Sequence, residues 1–273
     1  MSNFKPCDIC LECKCKSEHD ECECNCEICK LKDECPKRAG LSATIRITTK
    51  CTQSCNHCCF SCSPISNDMM TIETAKNIAI FIKNNQSITK INLMGGEIFC
   101  NPSYKEILSE LIPTVKHTRI VTNSDWVKHD KSFAEFISQF KNIHLALSND
   151  KFHTNRYIED AQHILTDHNI IYYIDDENIV NDESIVPIGR AKFEYNVYSS
   201  FSCYCHKPDR KYSFLIDELG KIYKCGFGVW DYDNIKNHLN GGFNERFKEF
   251  NKVFYNTFIS NCASCIRGFN YHD

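Results

Sequence analysis

The chain has 273 residues, length for one full-sized domain and a small appendage. Its formal charge of −3 arises from 32 basic and 35 acidic side chains interspersed along the sequence, which argues against a nucleic-acid partner needing a basic face. Hydrophobic content of 42% and charged content of 25% are ordinary for a globular protein, and no run of about 18 apolar residues offers a membrane span. Cysteine is the outlier, at 20 residues. The cysteines bunch at CxxC and CxxxC spacings, which suit a shared metal centre, whereas disulfides more often join distant segments. Residues Met1–Pro6 run straight into cysteines and acids, unlike a secretory signal, so a reducing cytoplasm is expected.

Residues 1–39 carry nine cysteines and almost no aliphatic side chains. Such a segment cannot fold by burial and needs a metal to order it. It reads Cys7-x2-Cys10-x2-Cys13-x-Cys15, then Cys22-x-Cys24-x-Cys26-x2-Cys29, then Cys35-Pro36. Three readings stay open: one or two iron–sulfur clusters, zinc sites, or a flexible thiol-rich arm akin to a fused peptide substrate.

Strand-like runs follow at Ser42–Thr48, Lys90–Met94, Arg119–Thr122, Ile143–Leu147 and Ile170–Ile174. Helical stretches lie between them near Thr71–Asn84, Tyr104–Lys116, Lys131–Phe140 and Asn155–Asp167. In the first helix Ile72, Ala75, Ile78, Ala79 and Ile82 recur on one face, with Thr71 placed as N-cap and Glu73 in the first turn. Regular alternation of this kind predicts a parallel α/β sheet or barrel. Past about residue 193 the alternation stops, and Cys203, Cys205, Cys225, Cys262 and Cys265 appear.

The first candidate site is Cys51-Thr-Gln-Ser-Cys55-Asn-His-Cys58, directly after the first strand. Three thiolates can bind three irons of a cubane and leave the fourth open for a ligand, as catalytic metal sites require. Gly95-Gly96-Glu97 ends the second strand, where two glycines permit close backbone approach and a carboxylate can meet an ammonium group. Read alone, the cysteines would suit zinc equally. Together the two motifs resemble the signature of the radical S-adenosylmethionine (SAM) superfamily. The resemblance implies a 4Fe–4S cluster on Cys51, Cys55 and Cys58, which then carry the catalytic role. It also implies SAM bound with its amino group at Gly95, Gly96 and Glu97. Val121-Thr122-Asn123-Ser124 resembles the family's Thr-Asn-Gly element, with Ser124 in place of glycine. Leu147-Ser148-Asn149-Asp150 resembles its ribose-facing serine element, which carries Ser148. Val186-Pro-Ile-Gly189-Arg190-Ala191 resembles its Pro-x-Gly-Arg-Ala element, in which Arg190 pairs either with the SAM carboxylate or with a structural acid.

The second candidate site joins Cys205, Gly220-x4-Cys225 and Cys262-x2-Cys265. This order resembles the twitch domain, a shortened form of the SPASM auxiliary-cluster domain, and implies one further 4Fe–4S cluster. Cys203 competes with Cys205 as its first ligand, and structural zinc remains the alternative occupant. Phe214–Gly220 reads as a strand and tight turn with the glycine in a turn role.

The resemblance spans about residues 41–265. It implies a partial (β/α)6 TIM-like barrel over 40–192, a small auxiliary-cluster domain over 193–273, and the Cys-rich extension over 1–39. The implied activity is reductive cleavage of SAM to a 5′-deoxyadenosyl radical, which removes a hydrogen atom from a substrate. The auxiliary domain points toward crosslinking, epimerisation or oxidation of a ribosomally made peptide. Oxidation of a small molecule such as an amino sugar is the second reading, and a non-catalytic zinc or iron–sulfur protein the third. An electron donor such as flavodoxin or ferredoxin is the expected partner.

Overall fold

A computed structural model of the protein describes residues 41–154, 156–175, 189–190, 213–224, 231–243 and 246–247. Cys203, Cys205, Cys225, Cys262, Cys265 and the nine N-terminal cysteines lie outside the described residues. Strands β1 (Leu41–Arg46), β2 (Ile88–Met94), β3 (His117–Thr122), β4 (Ile143–Ser148) and β5 (Tyr172–Asp175) are laid down in sequence order, each parallel to the last. Helices α1 (Ile72–Asn84), α2 (Tyr104–Leu111), α3 (Trp126–His129), α4 (Ser132–Ile137) and α5 (Ile158–Asp167) connect them. Among the described residues the sheet is open, with order β5-β4-β3-β2-β1-β6-β7-β8, so the expected parallel α/β architecture is found there as an unclosed barrel.

Alternation along each strand explains the layering. Leu41, Ala43 and Ile45 of β1, Ile91 and Leu93 of β2, and Leu145 and Leu147 of β4 enter the core cluster together with side chains from the helices. The residues between them stay half-buried and are largely polar: Ser42, Thr44, Asn92, Arg119 and His144. On that polar side Asn92 pairs with Ser42 at 3.2 Å, and Arg119 with Asp175 at 2.8 Å. Helices thus cover one face of the sheet, and the other keeps a polar surface.

The sequence signals acted as expected in α1. Thr71 Oγ1 accepts the Thr74 N–H at 3.0 Å, and Ala75, Ile78, Ala79 and Ile82 are buried. The predicted helix Tyr104–Lys116 is shorter in the structure. Pro113 has no N–H to continue the ladder, so α2 gives way to a 3-10 turn over Ile112–Thr114. The helix predicted over Lys131–Phe140 is found as the shorter α4, and a further short helix, α3, forms ahead of it around the buried Trp126.

Beyond the alternating region, β6 (Ser213–Ile216) pairs parallel with β1, and β7 (Lys221–Tyr223) and β8 (Asp231–Asn234) follow antiparallel. The β6–β7 turn is built on Asp217, whose Oδ1 accepts the N–H groups of Leu219 and Lys221, both at 2.9 Å. Gly220 there adopts φ +80°, a conformation suited to glycine, in line with its predicted turn role. The strand is fixed on α1 by aromatic packing: Phe214 lies 6.4 Å from Phe81, 5.0 Å from Phe243 and 5.3 Å from Phe247, centroid to centroid. Among the described residues no helix is long and apolar enough to cross a membrane.

Phe214→Ala should therefore lower the unfolding free energy by about 3–5 kcal/mol in urea titration, with the m-value unchanged. A loss below about 1 kcal/mol would mean that β6 does not depend on this cluster.

Candidate metal centre

The loop after β1 lies at the C-terminal edge of the sheet, where parallel α/β folds place their functional groups. It is sewn down by backbone hydrogen bonds. Met70 N–H donates to Ile47 O at 2.9 Å, and Thr49 N–H to Asp68 O and Cys51 N–H to Ser63 O, both at 3.0 Å. Against the end of β2 two more follow at 2.8 Å, Gly96 N–H to Thr48 O and Glu97 N–H to Lys50 O. A Cβ on Gly95 would stand 2.5 Å from Thr48 O, and one on Gly96 would stand 2.1 Å from Lys50 O. The chain's own loop therefore makes a close approach to both glycines.

Glu97 is 2% exposed, and three donors occupy its carboxylate. Thr122 Oγ1–H reaches Oε1 at 2.9 Å, Asn123 N–H reaches Oε2 at 2.7 Å, and Ile98 N–H reaches Oε1 at 3.2 Å. Burial raises its pKa to about 7 against the pull of those donors. In this arrangement the side chain joins the end of β2 to the end of β3 rather than facing an open cavity.

Asn123 turns the chain after β3. Its Oδ1 accepts the Asp125 N–H at 3.0 Å, and its Nδ2 lies 3.1 Å from Thr52 Oγ1 and 3.8 Å from Cys51 Sγ. Ser124, at the position where the resembling motif has glycine, has φ +69°, so a serine occupies a left-handed conformation that glycine adopts without strain. Asp125 accepts from Thr52 Oγ1 and from Gln53 Nε2, and Gln53 also bonds Thr154 through both ends of its amide. The cysteine loop is in this way tied to the loops after β2, β3 and β4. Ser148 closes β4, half-buried and in register with Asp175.

Arg190 caps the loop from the other side. Its Nη1 donates to Cys55 O and its Nη2 to Cys62 O, both at 2.6 Å, and its backbone N–H donates to Cys58 O at 3.0 Å. Its guanidinium is thus engaged by backbone carbonyls of the cysteine loop. Gly189, at φ +57°, has no room for a Cβ beside Cys58 O and Cys59 O.

All six described cysteines, Cys51, Cys55, Cys58, Cys59, Cys62 and Cys100, are free thiols. The sulfurs of the predicted trio meet polar partners. Gln53 N–H lies 3.5 Å from Cys51 Sγ and Cys62 N–H lies 3.3 Å from Cys58 Sγ, whereas the Cys55 thiol donates to Gln53 Oε1 at 3.7 Å. Such N–H donors stabilise thiolates that share the charge of an iron–sulfur cluster, so the residues present fit that group. The electrostatics are uneven. Burial pushes Cys51 up to about 12, whereas the Cys62 thiol, with the Phe60 and Cys62 N–H groups and Arg190, brings Cys58 down to about 6. Cys62 rises in exchange, mainly because it donates to Cys58.

Several contributors carried no sequence motif. Cys100 sits on the 3-10 turn after Glu97 and, with Lys50, Cys51 and Thr52, lines a cleft of ≈ 610 Å³. Gln53, Cys55, Asp125, Lys128, Phe152 and Arg156 line a second cleft of ≈ 390 Å³ on the other flank of the loop. Arg46, at the end of β1, grips Glu218 of the β6–β7 turn at 2.7 and 3.2 Å and lies over the Phe60 ring at 5.3 Å. Asp150 and His153 form a further pair beside Cys55, in which the hydrogen bonds to Asp150 and Cys55 overcome burial and lift His153 to about 10. None of these residues has a spacing that marks it; only the meeting of separate loops does.

Comparison with known proteins gives a family match over part of the chain. The model described as the radical SAM superfamily matches residues 45–160. Over 116 residues the chain is 29% identical to YydG of Bacillus subtilis (strain 168), a protein named for peptide biosynthesis; the match covers 41% of this chain and 36% of that one. Over 101 residues it is 31% identical to AlbA of the same organism, named for biosynthesis of the antilisterial bacteriocin subtilosin, covering 37% and 22%. The match thus spans about a third or less of the length of these curated relatives. In fold, the chain is similar to BtrN in complex with AdoMet and 2-DOIA, with a TM-score of 0.53 at 15% identity over 78% of this chain and 86% of that one.

If the glycine contact seats the loop, Gly96→Ala should lower iron uptake several-fold in anaerobic reconstitution. Gly242→Ala, where φ is +79° but a Cβ meets nothing within 4 Å, carries backbone strain away from the site and should keep wild-type uptake. Equal iron in both variants would remove the glycine from the site's assembly.

Proposed function

We propose that the chain, whose residues 45–160 match the radical SAM superfamily model, is a radical SAM enzyme that modifies a ribosomally made peptide. The observation that carries the chemistry is the loop holding Cys51, Cys55 and Cys58, with backbone N–H groups at the Cys51 and Cys58 sulfurs and its backbone locked against Gly95-Gly96-Glu97. When bound, a 4Fe–4S cluster with SAM supplies a 5′-deoxyadenosyl radical able to remove a substrate hydrogen. The three thiolates hold the cluster. Asn123 and Ser148, at the ends of β3 and β4, stand on the edge where SAM would lie, beside the backbone of Gly95 and Gly96. Glu97 keeps that edge in register by joining β2 to β3, and Arg190 holds the loop closed over its own carbonyls.

Peptide modification is supported by the two relatives, each named for biosynthesis of a peptide product. An auxiliary 4Fe–4S cluster on Cys205, Cys225, Cys262 and Cys265 belongs to the same proposal, as does reduction by a flavodoxin or ferredoxin. The cysteines of residues 1–39 would raise the iron count further if they too hold a cluster.

Anaerobic protein given SAM and dithionite should release 5′-deoxyadenosine, and Cys55→Ala should release none above background. Zinc without iron, and no 5′-deoxyadenosine from the wild type, would refute the proposal. Iron counting separates its parts: about four per chain means the barrel cluster alone, about eight adds the auxiliary cluster, and about twelve brings in the N-terminal segment. Mass spectrometry of short peptides encoded beside the gene, before and after turnover, tests the substrate class.

A further inference from the structure

Two clefts flank the cysteine loop, and they differ in charge. In the larger one, which Cys51 lines, Lys50 stands with Asp130 and with the apolar Phe99 and Pro102. The smaller, of ≈ 390 Å³, has Cys55 in its wall together with Lys128, His129 and Arg156. All three of these cationic or basic side chains are exposed. Lys128 and His129 come from the end of α3 and Arg156 from just before α5, so the loops after β3 and β4 bring them to one space. Lys151 stands close by, its Nζ 5.0 Å from the ring centroid of Phe152, another wall residue. Lys128 and Arg156 have no ion-pair partner among the described residues. Glu159 and Asp160, the acids nearest Arg156 in sequence, line a different cleft. The one acid in the wall, Asp125, is 8% exposed and already engaged: it accepts from Thr52 Oγ1 at 2.5 Å and from Gln53 Nε2 at 3.1 Å. Gln53 is held in turn by Thr154, at 3.0 and 3.1 Å. The floor is thus a closed hydrogen-bond network and the rim is cationic and solvated. Such a rim suits a broad acidic surface bound weakly and released quickly, rather than a small anion held within.

We propose that this cleft is the docking surface for the acidic protein that reduces the cluster, with Lys128 and Arg156 meeting its carboxylates and Cys55 the cluster ligand nearest to it. The inference rests on the reading that Cys51, Cys55 and Cys58 hold a 4Fe–4S cluster. Among those three, Cys51 is buried, and Cys58 sits where Arg190 clasps the loop through the carbonyls of Cys55, Cys58 and Cys62. Cys55 is half-buried in the wall of an open cleft. The step moves one electron: the donor is oxidised by one, the cluster is reduced by one, and no bond is made or broken. Steering by unpaired exposed charge sets the rate of such encounters, and salt screens it.

The test uses the anaerobically reconstituted full chain, with flavodoxin as the acidic protein probe and dithionite as a small chemical reductant. Flavodoxin binding, followed on its flavin, should weaken about tenfold or more in Lys128→Glu/Arg156→Glu at low salt, and wild-type binding should weaken as salt rises. Lys76→Glu/Lys83→Glu, the same charge change on exposed positions of α1, should bind within about twofold of the wild type. The rate of 5′-deoxyadenosine release with flavodoxin, divided by that with dithionite, should fall along with binding. Carbodiimide cross-linking of the wild type gives a reading that no variant's folding can disturb: amide bonds from flavodoxin carboxylates to Lys128 or Lys151, located by mass spectrometry. Absent binding, equal binding in the wild type and Lys128→Glu/Arg156→Glu, or cross-links confined to other lysines overturns the proposal and leaves the cluster reading standing. An unchanged ratio of the two rates does the same, since a small-anion site or a lost cluster would lower both together. A wild type that releases no 5′-deoxyadenosine even with dithionite overturns the cluster reading and this proposal with it.

Discussion

The site depends on one close approach, the backbone of the cysteine loop lying directly on Gly95 and Gly96. The two hydrogen bonds at 2.8 Å between these segments need carbonyl oxygens where any side chain would put a Cβ. A flexible loop bearing three thiols would pay a large entropic cost to gather them around a metal. Here the cost is met in folding, because the loop is paired at its base with Ser63, Asp68 and Met70 and at its crest with the end of β2.

Glu97 spreads that constraint to the next strand. A carboxylate this buried is unfavourable unless its oxygens are filled, and three donors fill them. Removing the acid would leave those donors without an acceptor, at about 1–3 kcal/mol for each one left buried. The same logic continues outward. Asn123 reaches back to Thr52 and toward the Cys51 sulfur, Asp125 holds Thr52 and Gln53, and Gln53 holds Thr154. The ends of β2, β3 and β4 are thereby referred to one loop, so a shift in any of them moves the thiols.

The hairpin of β6 and β7 closes the arrangement on the far side of β1. Arg46 closes β1 next to the cysteine loop, and its bidentate contact with the buried Glu218 ties the hairpin's turn to that strand end. Packing of Phe214 with Phe81 on α1 and with Phe243 and Phe247 anchors the hairpin from the core side. Electrostatic and apolar fastenings therefore act on opposite faces of the same three-element unit, β1, β6 and α1.

Much of this was legible in the residues before any coordinate. The apolar spacing of Ile72–Ile82, the cap at Thr71 and the alternation of strands with helices determined a parallel α/β sheet, because local periodicity and burial are properties of neighbours in sequence. The thiol spacing at Cys51, Cys55 and Cys58 and the glycine pair at the end of β2 marked the site for the same reason. Pro113 could have shortened the predicted second helix, but the extra short helix α3, ahead of the predicted third, turns on the burial of Trp126, which periodicity alone does not report. The ties at Glu97, Arg190 and Gln53 were decided only by tertiary structure. Each acts across strand ends far apart in the chain, and the spacing of residues within one segment carries no record of which loops will meet. Gly95-Gly96 is the clearest case. Sequence showed that something can come close to those glycines, and only the folded chain showed that the cysteine loop does.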